Sequence, residues 1–191
     1  SLNWVKDYID LEGIDLKELA VEITKAGVNI EKVVTNHIDN LVIGEVLECV
    51  MHPDSDHLHV CQVNIGDVVT QIVCGAHNVR VGLKVIVALP GAKLPEIEIK
   101  AGVIRGQESN GMICALYELG LVEFSQELYD AGIEELPSDA PVGEDPIKYL
   151  GYDDTIYDLD LNPNRMIDCT NHIGFAYEVA SVLGKEVTMP S

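Results

Sequence analysis

The chain has 191 residues, 47% of them hydrophobic and 23% charged, with a formal net charge of −20. That apolar share excludes a disordered chain, and no apolar run approaches the ~20 residues of a membrane-crossing helix. The charge argues against an indiscriminate nucleic-acid binder, which would be basic overall.

The length suits one large or two small domains. The start, Ser1-Leu2-Asn3-Trp4, lacks the basic residues and long apolar run of a signal peptide. An initial Ser in place of Met, and the Met189-Pro190-Ser191 end, read as a piece of a longer protein. Five cysteines (Cys49, Cys61, Cys74, Cys114, Cys169) are an odd number without repeated close pairing, which fits a reducing cytoplasm better than a disulfide framework.

Trp4, Val5, Tyr8 and Ile9 recur at helical spacing. A second helix follows, with Asp15 as cap, Glu18 completing a capping box, Leu16, Leu19, Ala20 and Ile23 inward, and Gly27 as its end. Val28 to Val34 alternates as a strand, and residues 36–40 break the pattern. Six candidate strands come next: Leu41–Val50, Leu58–Ile65, Val68–Val73, Lys84–Ala88, Glu98–Ile104 and Gly111–Cys114, with Gly and Pro in the connectors. Short strands at this spacing predict a small closed barrel of the OB type. From Leu121 to Leu150 the chain is acidic and turn-rich and reads as a wrapping connector, with a short helix near 147–150. Thr155 to Asp160 alternates again, 162–165 is a turn, and Asp168 can cap a last helix that Gly184 ends. Its inward stripe would be Ile173, Ala176, Tyr177, Ala180 and Leu183. Each terminal piece is too small to bury a core alone. The fold class is therefore α+β: a small split α/β domain (about 1–39 and 152–191) with an inserted OB-fold β-barrel (about 40–151).

Charge is segregated along the chain. Between Val68 and Gln107 five bases (Arg80, Lys84, Lys93, Lys100, Arg105) face two acids (Glu96, Glu98), whereas Gly106 to Ile147 holds no Lys or Arg. An RNA ligand requires cations toward its phosphates and a surface that tolerates exposed backbone. Those five bases supply the cations, and Asn78 and Ser109 can hydrogen-bond riboses or bases. The competing reading is that they are solvated strand ends. Aromatic residues are sparse, with Tyr117 and Phe124 late in the region, so shape and backbone contact fit better than base stacking.

Other chemistries are weaker. His57, His59 and Cys61 would alternate onto one face of an extended segment, yet no Cys-x-x-Cys pair supplies the rest of a closed zinc site. Cys74 and His77 lack an orienting third group for nucleophilic catalysis. The glycines lack the strand–helix context of a phosphate loop. The acidic connector lacks the spaced ladder of a calcium loop.

The runs His52-Pro53-Asp54-Ser55-Asp56-His57-Leu58, Cys74-Gly75-Ala76-His77-Asn78-Val79 and Gly106-Gln107-Glu108-Ser109-Asn110-Gly111-Met112 resemble the tRNA-binding OB domain of the EMAP type. That domain occurs free-standing, on methionyl-tRNA synthetases, and near the N-terminus of the bacterial phenylalanyl-tRNA synthetase β subunit. The flanks Ser1-Leu2-Asn3-Trp4-Val5, Lys25 to Glu31, Asp158 to Arg165 and Ala176 to Ala180 are similar to the last of these. There are two departures: His57 stands where the family usually has Lys, and Met166 to Asn171 is dissimilar. The resemblance implies an aminoacyl-tRNA synthetase, an α2β2 heterotetrameric ligase that uses ATP and magnesium to join phenylalanine to its tRNA in the cytoplasm. It places the synthetic site on the α subunit and the editing site further along the β subunit. This chain would then be an auxiliary tRNA-binding region, itself neither catalytic nor metal-binding, with no DNA or membrane partner. The alternative is an assembly module with little RNA contact.

Overall fold

A computed structural model describes residues 1–163 and 169–190. In chain order its elements are α1 (Leu2–Lys6), α2 (Leu16–Lys25), β1 (Asn29–Thr35), β2 (Leu41–Met51), β3 (His59–Asn64), β4 (Val69–Cys74) and β5 (Lys84–Ala88). Then come β6 (Gly102–Ile104), β7 (Gln107–Ser109), β8 (Met112–Cys114), α3 (Gln126–Ala131), α4 (Pro146–Tyr149), β9 (Thr155–Asp160) and α5 (His172–Leu183). Two compact units result, one from Ser1–Asn36 with Asp153–Ser191, the other from His37–Tyr152.

In the first unit the Asp15 carboxylate accepts from the Lys17 and Glu18 amides, holding the start of α2. β1 pairs antiparallel with β9, from Asn29 opposite Asp160 to Thr35 opposite Thr155, with a bulge between Ile30 and Lys32. The helices bury Leu2, Val5, Leu19, Ile23, Phe175, Ala176 and Val179 with Val28 and Tyr157. Two helical expectations shift. α1 ends at Lys6, and Trp4 lies outside the core at 63% exposed; Leu2, Val5 and Ile9 are the buried set. α5 is capped by Asn171, whose side chain accepts from the Gly174 amide, and Asp168 lies outside the described residues. Its buried stripe is Phe175, Ala176, Val179 and Ala180, with Ile173 and Tyr177 exposed. Apolar residues nearly surround this helix, so spacing alone does not choose its inner face. Phe175 does, by meeting Tyr157 edge-on with ring centroids 6.3 Å apart.

In the second unit five antiparallel strands form one sheet in the order β4-β3-β2-β5-β8. This curled half-barrel is the OB-like fold expected. β2 and β3 carry a bulge between Val46 and Glu48, which helps the long strand bend. No strand ladder joins β4 to β8. Three lateral bonds draw the edge of β4 toward the β7–β8 segment instead: the Asn110 amide to the Gln71 carbonyl (2.9 Å), the Val73 amide to the Ser109 hydroxyl (3.1 Å) and the Gln71 carboxamide to the Glu108 carbonyl (2.9 Å). The expected strand Glu98–Ile104 shortens to Gly102–Ile104, and Gln107–Ser109 returns beside it as an unexpected partner. Arg105 and Gly106, at φ of 48° and 85°, form the two-residue turn between them, the positive-φ pair that a tight hairpin needs.

His52 fixes this hairpin to the β2–β3 loop. It is 1% exposed; its Nδ1 accepts from the Asp54 amide at 3.0 Å, and its Nε2 lies 3.1 Å from the Ile104 carbonyl. A carbonyl only accepts, so the ring carries its proton on Nε2.

Candidate nucleic-acid interface

The seven side chains expected to face RNA fall into two groups. Four are committed to the fold. The Ser109 hydroxyl, in a residue 4% exposed, accepts from Val73 and donates to the Gly111 carbonyl at 3.2 Å. It closes the half-barrel and cannot turn outward without opening it. Asn78 pairs with the backbone of Ile133: Nδ2 donates to the carbonyl at 2.9 Å and Oδ1 accepts from the amide at 3.1 Å. Lys84 stands opposite Glu45 across β2 and β5 and donates to its carboxylate at 2.9 Å, with the lysine side chain 13% exposed. Arg80 grips Glu135 with both terminal nitrogens, at 2.7 and 2.6 Å. Asn78 and Ser109 thus act as clamps within the fold, and Lys84 and Arg80 are each paired with a carboxylate.

The remaining three are available. Lys93 and Lys100 are exposed and have no hydrogen-bond or ion-pair partner among the described residues. Arg105 is exposed at the hairpin tip, with one guanidinium nitrogen on the Asp54 carbonyl at 3.0 Å and the rest of the fork open. His57 is also exposed, its Nδ1 2.8 Å from Asp56.

The cysteines of both constellations are packed in the core. Cys61 is fully buried, its Sγ 3.8 Å from that of Cys49 across the strand pair. Burial pushes the Cys74 thiol up, and its sulfur accepts from the Ala76 amide. Among the described residues, no group of three or more His, Cys, Asp or Glu side chains converges as a metal site would.

The Arg80–Glu135 pair has a pH signature. Hydrogen bonds from Arg80 hold the Glu135 carboxyl down to about 2. A carboxylate whose folded pKa is depressed contributes stability that is complete above its ordinary value of 4.5 and is lost as pH falls toward 2. The pair is solvent-exposed, so the step is small and screened by salt. Amide protection factors at Ile133–Leu136, corrected for the intrinsic pH dependence of exchange, should therefore fall between those pH values in the natural chain and show a smaller step in Glu135→Gln. An equal step in both would assign the loosening to other carboxylates.

Reasoning from sequence overlooked one feature. Tyr117 and Phe124 come late in the region, yet with Tyr129, which the sequence does not single out, their rings meet, with centroids 5.4 and 6.3 Å apart. Tyr117 and Tyr129 also line a cavity of about 340 Å³ that includes Cys74, His77 and Glu118. The available signal was three aromatic residues within thirteen positions, from Tyr117 just before the acidic connector to Tyr129 inside it.

Known proteins bear on this arrangement. The phenylalanine–tRNA ligase beta subunit of Geobacillus kaustophilus is 49% identical over 195 residues, covering all of this chain and 24% of the relative. That of Bacillus subtilis is 46% identical with the same coverage, and that of Bdellovibrio bacteriovorus 45% over 197 residues. The chain thus spans about a quarter of the length of these relatives. A family model described as "Putative tRNA binding domain" matches residues 41–145, from the start of β2 to the residue before α4, more than half of the chain. The chain belongs to that putative tRNA-binding domain family.

Proposed function

We propose that this chain is an auxiliary tRNA-binding region of a phenylalanine–tRNA ligase β subunit: a split α/β domain (about 1–39 and 152–191) around a tRNA-binding OB domain (about 40–151). The observation that carries the reading is the 49% identity to such a subunit along the whole chain. Lys93, Lys100 and Arg105 are the cations that meet tRNA phosphates, and shape is read in preference to sequence. The whole enzyme, working in the cytoplasm with an α subunit in an α2β2 assembly, joins phenylalanine to tRNA. ATP and magnesium serve that reaction, and no residue described here is assigned to either.

Three phosphate contacts predict a shallow salt dependence, with affinity falling roughly twentyfold between 50 and 200 mM salt. The test is tRNA binding by the chain across that range. Lys100→Glu with Arg105→Glu should weaken binding at least tenfold and flatten the salt slope by about two contacts' worth. Lys84 is left intact, because changing it would break the pair with Glu45. Unchanged affinity and slope would discard this cationic face.

A second reading, an assembly module with little RNA contact, draws on the net charge of −20 and on the four intended contacts spent inside the fold. Absence of tRNA binding at low salt would select it.

A further inference from the structure

After β8 the chain turns back through hydrogen bonds from the Leu119 amide to the Leu116 carbonyl and from Gly120 to Tyr117. This turn and α3 bring three rings together. Phe124 stands edge-on to Tyr117, with an interplanar angle of 84°, and tilted to Tyr129 at 59°. Phe124 and Tyr129 are 64% and 60% exposed, an unusual placement for large rings that pack on one another. Tyr117, Glu118 and Tyr129 line the cavity, together with Val73 to His77 and Met112 and Ile113 from the strand ends.

Glu118 sets the polarity of this cavity. Its Oε2 accepts from the Ala115 amide at 2.7 Å, and its other oxygen has no partner among the described residues. Burial pushes its carboxyl up; burial, and then the field of Glu118, push the Tyr117 hydroxyl up. No counter-ion comes from the surrounding sequence, since residues 106–147 hold ten acids and no Lys or Arg. Ring faces are the negative side of an aromatic quadrupole. A partly desolvated carboxylate beside such faces suits a cation. A guanidinium suits it better than an ammonium, because it is flat, weakly hydrated, stacks on rings and forks onto a carboxylate. A nucleobase would fit the rings but would carry its phosphates into the acidic segment.

We propose that this cavity takes an arginine side chain presented by a partner protein, its guanidinium packed on the Tyr117 and Tyr129 rings and paired with Glu118. None of Lys93, Lys100 and Arg105 lines the cavity, so the proposal stands or falls independently of the RNA reading.

The test is an NMR titration of the whole chain with acetyl-Gly-Arg-Gly-amide, its neutral citrulline counterpart and AMP. The arginine peptide should shift Tyr117, Glu118 and Tyr129, with saturable millimolar binding, and the citrulline peptide should bind roughly tenfold more weakly. Tyr129→Ala and Glu118→Gln should each weaken arginine binding by roughly five- to thirtyfold, and Tyr129→Phe should preserve it. Tyr129 is mostly exposed, so its variants should keep the native amide spectrum as an internal control of folding. Four results overturn the proposal: no arginine binding, citrulline binding as well as arginine, AMP filling the cavity in place of arginine, or shifts scattered over Glu123, Glu127 and Asp130 that survive Glu118→Gln.

Discussion

Gly111→Ala should destabilise the His37–Tyr152 unit by about 3 kcal/mol or more, while Gly102→Ala should change it by less than about 0.5 kcal/mol. Gly111 has a φ of 152°, and an added Cβ would lie 2.8 Å from the Ala88 carbonyl oxygen and 3.3 Å from the Ile72 Cδ1. The backbone conformation costs about 1–3 kcal/mol for a residue with a side chain, and overpacking a dense core adds about 1–3 kcal/mol. The nearest atom is backbone of β5, whose residues Val85 to Ala88 are fully buried, so no side chain can swing aside. Gly102 faces open space and lacks a positive φ. The measurement is amide exchange at Ile86–Ala88, because Trp4 lies in the other unit and its fluorescence would not report this loss. Equal protection in both variants would mean that β5 and the Gly111 turn do not meet as described. The same turn explains why Ser109-Asn110-Gly111 stood out in the sequence. The serine hydroxyl and the asparagine amide tie β4, and the glycine allows the close approach to β5.

How much was legible follows the range of the interactions involved. β2 to β5 were readable because alternation and Gly or Pro punctuation are local signals. β6 and β7 are three residues each, too short for a period to register, and Arg105-Gly106 is not the Asn-Gly or Asp-Gly pair that announces a tight hairpin. The candidate cations were visible as residue types, but their partners were not. Glu45 is 39 positions from Lys84 and Glu135 is 55 from Arg80; strand register in one case and the path of the connector in the other create these pairs. The ring cluster was hidden for the same reason, since it depends on where the turn after β8 sends the chain. Charge segregation thus overstated the basic face: of five bases, two are spent on carboxylates inside this unit.

Asn78→Ala separates the structural from the RNA-contact role of a residue that sequence alone assigned to RNA. Its carboxamide satisfies both backbone groups of Ile133, a residue 7% exposed, and reaches Glu135 at 3.1 Å. Gly132 lets the connector come this close, since a Cβ there would sit 2.3 Å from the Asn78 Oδ1. Alanine leaves an amide and a carbonyl unpaired near the core, at about 1–3 kcal/mol each before relaxation, so a loss of about 2–3 kcal/mol is expected. The loss should be local first: faster proteolysis between Gln126 and Leu136, and faster amide exchange at Ile133 and at Leu136, whose amide bonds the Lys84 carbonyl. Asn78→Asp should not rescue it, because the acceptor for the Ile133 amide is kept while a second carboxylate is set against Glu135 and the Ile133 carbonyl. The tRNA affinity of the folded alanine variant should stay within about threefold of the natural chain, since the clamp uses both ends of the carboxamide. A tenfold loss of tRNA affinity with unchanged stability and proteolysis would reverse the assignment, making Asn78 a contact to RNA and the bonds to Ile133 dispensable.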